Sequence, residues 1–518
     1  MRTNLLNFVY SCSYSAAGMA VFIFLLSGLS GTAFGITPET VEETDIFNMV
    51  HSSEWDAHES LDPTSPTRFL PPIMLLYERL VRPDKNGNPS PCLAKSWMYD
   101  ETGKKFTFKI RKNIRFHNGK PLTAHDVVYT FKHILDPDFD SPAAPALNII
   151  DTRKFATPDT HTVIFSLKKP HFDFPVLLMH YMVRIIAEGS AETTAKSGNG
   201  TGPFKLIELD PRGVTKLAAN EDYWGGKPRL KRIDVISMAG KDIQVNALLE
   251  NKIDYVNGIS YSQAHIIKEN KNFTIQEAHA SAWHGLVMNT SVSPFDDLRV
   301  RKAMKLVMDS EKMVSMILRG HGMPAYNNPV SPSDRYYMKL DTKPDIDKAK
   351  SLLALAGYPN GMNIELYVTD DDPFLTPIAT AYAKMAEPAG IRIKINLMKP
   401  EKYWNSIWMK APFHGTDWFE RFADQILNEA FVSGAIWNDT FWSNPEFDQL
   451  LVNARMEKDF EKRKLWYHKA QKLVAEQGGA IIPFFPNSIR AFANTVYGID
   501  PDYGDHNINW ANVYKNSF

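Results

Sequence analysis

Residues 199–228, N-G-T-G-P-F-K-L-I-E-L-D-P-R-G-V-T-K-L-A-A-N-E-D-Y-W-G-G-K-P, constrain the fold more than any other stretch, because turn chemistry and strand pattern are packed together in them. Phe204, Leu206 and Leu209 form a short apolar run broken by polar residues. Asp210-Pro211-Arg212-Gly213 follows, with a proline at a turn position and a glycine suited to positive φ. With residues 214–217 beyond, the pattern predicts a β-hairpin. The chain then places Tyr223-Trp224 directly before Gly225-Gly226, as expected where a buried aromatic anchor meets a sharp bend.

The rest of the chain must supply the sheets and helices that cover such a hairpin. A chain of 518 residues with 44% hydrophobic content exceeds what one core holds, so at least two domains are expected. Residues 106–110 and 114–117 alternate as strands, and Thr123 caps a helix whose buried side is Val127, Val128, Phe131 and Ile134. A helix over 69–81, ending near Pro83, precedes them. Further strands are predicted at 160–170, 233–238, 253–256 and 283–289, with a helix at 241–250. A long amphipathic segment at 298–318 opens a second region, in which helices at 347–356, 376–389 and 461–475 alternate with strands at 364–368, 391–397 and 480–485. Strand-like pieces close the chain near 489–496. Such alternation predicts α/β architecture with helices on the sheet faces. Residues 403–442 are rich in tryptophan and weak in periodicity.

At the N-terminus, Arg2 precedes an uncharged segment whose apolar core, residues 16–26, is too short to span a bilayer comfortably and fits a signal-peptide h-region. Ala33 and Gly35 put the expected cleavage after Gly35; a retained anchor is the competing reading. Removing residues 1–35 takes Cys12 away and leaves only Cys92, so no intramolecular disulfide is expected. With 58 basic against 59 acidic residues, a net charge of −1 and no long basic run, nucleic acid is not an expected partner.

No catalytic pattern stands out. Fifteen histidines include no H-E-x-x-H, and there is no C-x-x-C and no G-x-S-x-G. Residues 198–202 have the glycines of a phosphate loop without its Lys-Ser/Thr, and a strand follows where a helix would be needed.

Several blocks, taken in order and spacing, resemble the solute-binding proteins of ABC importers, in the group that includes dipeptide-, oligopeptide- and nickel-binding proteins. They are Y-E-R-L-V at 77–81, P-C-L-A-K-S-W at 91–97, F-T-F-K-I-R at 106–111 with F-H-N-G at 116–119, and L-T-A-H-D-V-V-Y at 122–129. G-T-G-P-F at 200–204, N-E-D-Y-W-G-G-K-P at 220–228, Asn289-Thr290 and P-F-D-D-L-R-V-R-K-A at 294–303 complete the set. The resemblance implies an α/β, two-lobed periplasmic-binding-protein fold with a hinge and an extra subdomain in the N-terminal lobe. Lobe 1 would run over 36–285, with the subdomain at about 60–195, and be completed by 487–518; lobe 2 would be 286–486. The implied protein is periplasmic and monomeric, uses no cofactor or metal, and delivers a small-molecule or peptide ligand to ABC permease subunits in the inner membrane. An exported hydrolase acting on peptides or glycans is the alternative.

Peptide binders of this group typically carry a Trp followed three residues later by an Asp that pairs with the peptide's α-ammonium. Here Trp418 is followed by Arg421, whose guanidinium would repel an ammonium and suit a carboxylate. The expected ligand is therefore acidic or N-terminally blocked, unless Asp417 or Asp424 takes the acid's role or Arg421 pairs with Glu420 or another acid. Arg421, Trp418, Asp417, Trp437, Trp283 and His284 are the candidate ligand-binding residues.

Overall fold

The computed structural model describes residues 46–52, 60–500 and 504–516; the expected leader at 1–35 lies outside them. Three sheets carry the architecture. The first has seven strands in the order Phe273–Ala278, Ser488–Ala493, Tyr255–Asn257, Ile46–His51, Arg232–Ser237, Val214–Ala219, Phe204–Glu208. The predicted hairpin is its edge, with Phe204 opposite Ala219 and Leu206 opposite Leu217. Gly213 departs from expectation, since its φ is not positive. It is glycine because a Cβ would overlap the Asp210 carboxylate, which caps the turn by accepting from the backbone N–H groups of Arg212 and Gly213 at 3.2 and 2.9 Å.

The second sheet has six strands, Gly322–Pro324, Ala480–Pro486, Trp283–Met288, Phe413–Trp418, Met362–Thr369 and Ile391–Met398. Every residue of Ala480–Pro486 is buried. Its Ile481 and Phe484 enter the core under the helices of residues 298–386, while Ala480, Ile482 and Phe485 enter the core of Ala423–Phe431, Pro445–Met456 and Phe460–Gln477. Helices on both faces explain why this strand reads as an unbroken apolar run. A four-stranded antiparallel sheet, Ala94–Tyr99, Lys105–Ile110, Thr162–Ser166, Ala156–Asp159, has a core of its own.

The chain passes between the large sheets twice. Residues 279–282 lead from Phe273–Ala278 into Trp283–Met288, and Asn487 alone leads from Ala480–Pro486 into Ser488–Ala493. The expected boundary at 285/286 therefore falls inside one strand, all of which pairs in the second sheet. The strand Phe273–Ala278 is not among those expected, and which sheet a strand joins is set by its pairing partners, not by its own alternation.

Other departures are local. The first helix is Leu70–Leu76, not 69–81, because the Leu76 carbonyl accepts from Gly202 N–H (2.9 Å) and the backbone turns extended at Tyr77. Residues 114–117 form only an isolated bridge, Arg115 to Pro121. The segment 298–318 is two helices, Leu298–Leu306 and Ser310–Leu318, the second capped by the Asp309 side chain on Lys312 N–H. No helix among the described residues is long and apolar enough to cross a membrane.

Candidate functional site: the cleft between the lobes

Glu78 and Arg79, neighbours in the Y-E-R-L-V block, divide the labour of holding the fold and facing the cleft. Glu78 is buried and accepts from Tyr223 Oη (2.7 Å), Trp224 Nε1 (2.7 Å) and Thr201 Oγ1 (2.9 Å). Three separated sequence blocks thus converge on one carboxylate, whose pKa burial pushes up. Arg79, 6% exposed, instead donates to the Met179 carbonyl (2.6 Å) and Asn507 Oδ1 (2.7 Å). Burial lowers its pKa to about 10.

Two adjoining cavities lie between the lobes. The larger, about 450 Å³, has a largely apolar wall that includes Phe69, Met74, Tyr255 and Trp510, with Phe419 and Glu420 of the second lobe opposite and Ala282 and Ser488 at the chain passages. The smaller, about 130 Å³, shares Tyr181, Glu420 and His506 with it and is walled by Arg79, His180 and Arg421. Arg68 lies under the Tyr181 ring, 5.3 Å from its centroid, and His506 stacks on the same ring at 4.6 Å. Arg68 bonds only to the Tyr181 hydroxyl and the carbonyls of Ser65 and Pro66. Among the described residues, therefore, neither Arg68 nor Arg79 has a carboxylate partner. Buried cations are ordinarily paired.

The six expected ligand residues are dispersed. Arg421 lines the smaller cavity; its Nε donates to Glu429 (2.9 Å) and its Nη1 to the Glu420 carbonyl (3.1 Å). Trp418 stands opposite Trp283 across paired strands, ring centroids 6.3 Å apart, and both are buried in a core. They are structural, as alternation along the strand directs them away from Asp417. Asp417 stands opposite His284, which contacts Asp372 at 2.8 Å. Burial raises the Asp417 pKa to about 6. Trp437, 37% exposed, stacks on Trp408 and lines neither cleft cavity. Asp424, the alternative acid, is held by Arg455 (2.8 and 3.0 Å) and Tyr467 (2.8 Å), away from the cleft cavities. Arg68, Arg79, His180 and Phe419 were not anticipated. Arg79 lay in a quoted block, but its lack of an acid is a tertiary fact.

The family model for bacterial extracellular solute-binding proteins, family 5, matches residues 88–426. The chain belongs to this family. A family 5 chain is the solute-binding component of an ABC importer, and the hydrolase alternative falls. Among its relatives, di/tripeptide-binding protein 2 of Pseudomonas aeruginosa is 26% identical over 76% of this chain and 80% of its own. Heme-binding protein A of Haemophilus influenzae is 26% identical over 83% and 86%. The ABC transporter substrate binding protein CtaP from Listeria monocytogenes superposes with a TM-score of 0.79 at 20% identity, over 91% of this chain and 99% of its own. The two-lobed binding-protein fold expected from the sequence is thus the fold of this family 5 chain. Among the described residues no group of three His, Cys, Asp or Glu side chains is placed to hold a metal ion.

Proposed function

We propose that this family 5 protein captures an acidic or N-terminally blocked peptide-like solute in the cleft between its lobes and delivers it to an ABC permease. One observation carries the reading: Arg68 and Arg79 stand at the cleft cavities bonded only to neutral oxygens. Arg421, where peptide binders of the group carry an acid, adds a third cation, partly offset by Glu429. A solute carboxylate would be the missing counter-charge, and a guanidinium receives it with two parallel hydrogen bonds. Relatives named for dipeptides and tripeptides support a peptide-like body of this size. In this reading the mature chain works as a monomer in the periplasm, after cleavage following Gly35, against permease subunits in the inner membrane and without nucleic acid.

Mass spectrometry of small molecules released from the purified protein tests the solute class. An acidic or blocked peptide-like compound is expected. Adding it back should raise the melting temperature without turnover, since binding to the native state alone stabilises it. Tight binding of unmodified neutral dipeptides, with affinity unchanged in Arg421→Ala, would overturn the proposal.

A further inference from the structure

The smaller cavity contains a donor that the fold leaves unused. His180 is 4% exposed, and its Nδ1 accepts from Met182 N–H at 3.4 Å. An accepting Nδ1 puts the ring proton on Nε2. That buried Nε2 has no hydrogen-bond partner. The ring is held neutral, because burial and then the charges of Arg421, Arg68 and Arg79 depress its pKa. Around it stand Arg79, with no carboxylate, and Arg421, whose Nη2 has no partner among the described residues. Of the acids lining the same cavity, Asp84 is spent on its own turn, accepting from Asn86 N–H and Asn88 N–H at 2.8 Å each, and Glu420 sits where the two cavities meet.

We infer that the smaller cavity is an anion-binding annex of the cleft, in which His180 Nε2–H, Arg79 and Arg421 receive the oxyanion of a solute whose apolar body fills the larger cavity. The inference rests on the reading of the cleft as the solute site and adds where the acid goes and what shape the solute has. An unpaired buried donor and an unpaired buried guanidinium are each costly alone, and one oxyanion satisfies both. A volume of about 130 Å³ accommodates a carboxylate, sulfonate or phosphate group. The apolar wall of the larger cavity, with Phe69, Tyr255, Trp510 and Phe419, suits a flat or aromatic body.

Two fluorescent dyes separate the parts. Anilinonaphthalene sulfonate joins aromatic rings to one oxyanion, and phenylnaphthylamine has the rings without it. The purified protein should bind one sulfonate dye per chain. His180→Asn, which keeps an acceptor for Met182 and deletes the distal donor, and Arg79→Gln should each weaken that binding by about tenfold. His180→Gln, which restores a donor near the Nε2 position, should recover most of the loss. The neutral dye should bind all four proteins alike, which also establishes that the variants are folded. Unchanged sulfonate affinity in His180→Asn and Arg79→Gln, or an equal loss for both dyes, overturns the annex. If the neutral dye binds but the sulfonate gains nothing, the annex fails and the cleft reading stands. If neither dye binds, the apolar cavity fails as a solute site as well.

Discussion

Asp439 and Glu78 are carboxylates buried for opposite reasons, and substitution separates them. Asp439, 1% exposed, accepts from Thr416 Oγ1 at 2.7 Å, and burial raises its pKa to about 7. Because the folded value lies above the unfolded one, the neutral acid's contribution is fully present below about pH 4 and is lost as pH rises through about 7. Asp439→Asn should therefore be more stable than the parent at pH 8, and the advantage should shrink by roughly 2–3 kcal/mol at pH 5. Urea unfolding at the two pH values checks this; a difference independent of pH would refute it. Glu78 instead gathers three donors from distant blocks, so Glu78→Ala should cost roughly 3–5 kcal/mol by leaving them buried and unpaired. A urea midpoint within error of the parent would contradict that role.

Among the elements, Gly198 is required by its left-handed helix cap, whereas Gly200 and Gly202 are decided by close approach to the backbone of the first helix. A Cβ on Gly200 would overlap the Leu76 carbonyl oxygen, at the place where the first helix ends. Gly200→Ala must move either the helix end or the strip bearing Glu78 and Arg79, and a loss above about 3 kcal/mol is expected. Circular dichroism melting reads it; a shift of less than about one degree would mean that the block yields freely. The strand carrying Trp283 illustrates the limit of pattern reading. Its alternation was legible, but both faces meet cores, Leu286 and Met288 on one side and Trp283 on the other, because helices cover the sheet on both faces. Two of the three tryptophans expected at the ligand, Trp283 and Trp418, are consequently core residues.

Across the whole molecule, the subdomain of the first lobe grips the second lobe through a buried polar contact outside the cleft cavities. Asp173 accepts from Tyr336 Oη (2.8 Å) and Arg335 Nη2 (3.3 Å) and forms an ion pair with Arg463, whose Nη1 lies 3.1 Å away. His171 Nε2 lies 3.3 Å from Asp424 Oδ2. Asp173→Ala would strand Arg463, itself 5% exposed, and should cost roughly 3–5 kcal/mol in urea unfolding. Arg463→Met with Asp173→Leu should recover part of that loss, since it removes the stranded Arg463 charge while Arg335 still lacks its acid; no recovery would argue that the contact acts otherwise than by charge pairing. The sequence by itself determined the α/β class, the hairpin at residues 204–219, most helices and strands of the second lobe, and the family, because these follow from local periodicity, turn chemistry and the order of short motifs. Only the tertiary structure decided which arginines lack an acid, which tryptophans are core, and that His180 keeps an unused donor beside Arg79 and Arg421. Burial and partnership are properties of residues far apart in the chain, and no local pattern records them.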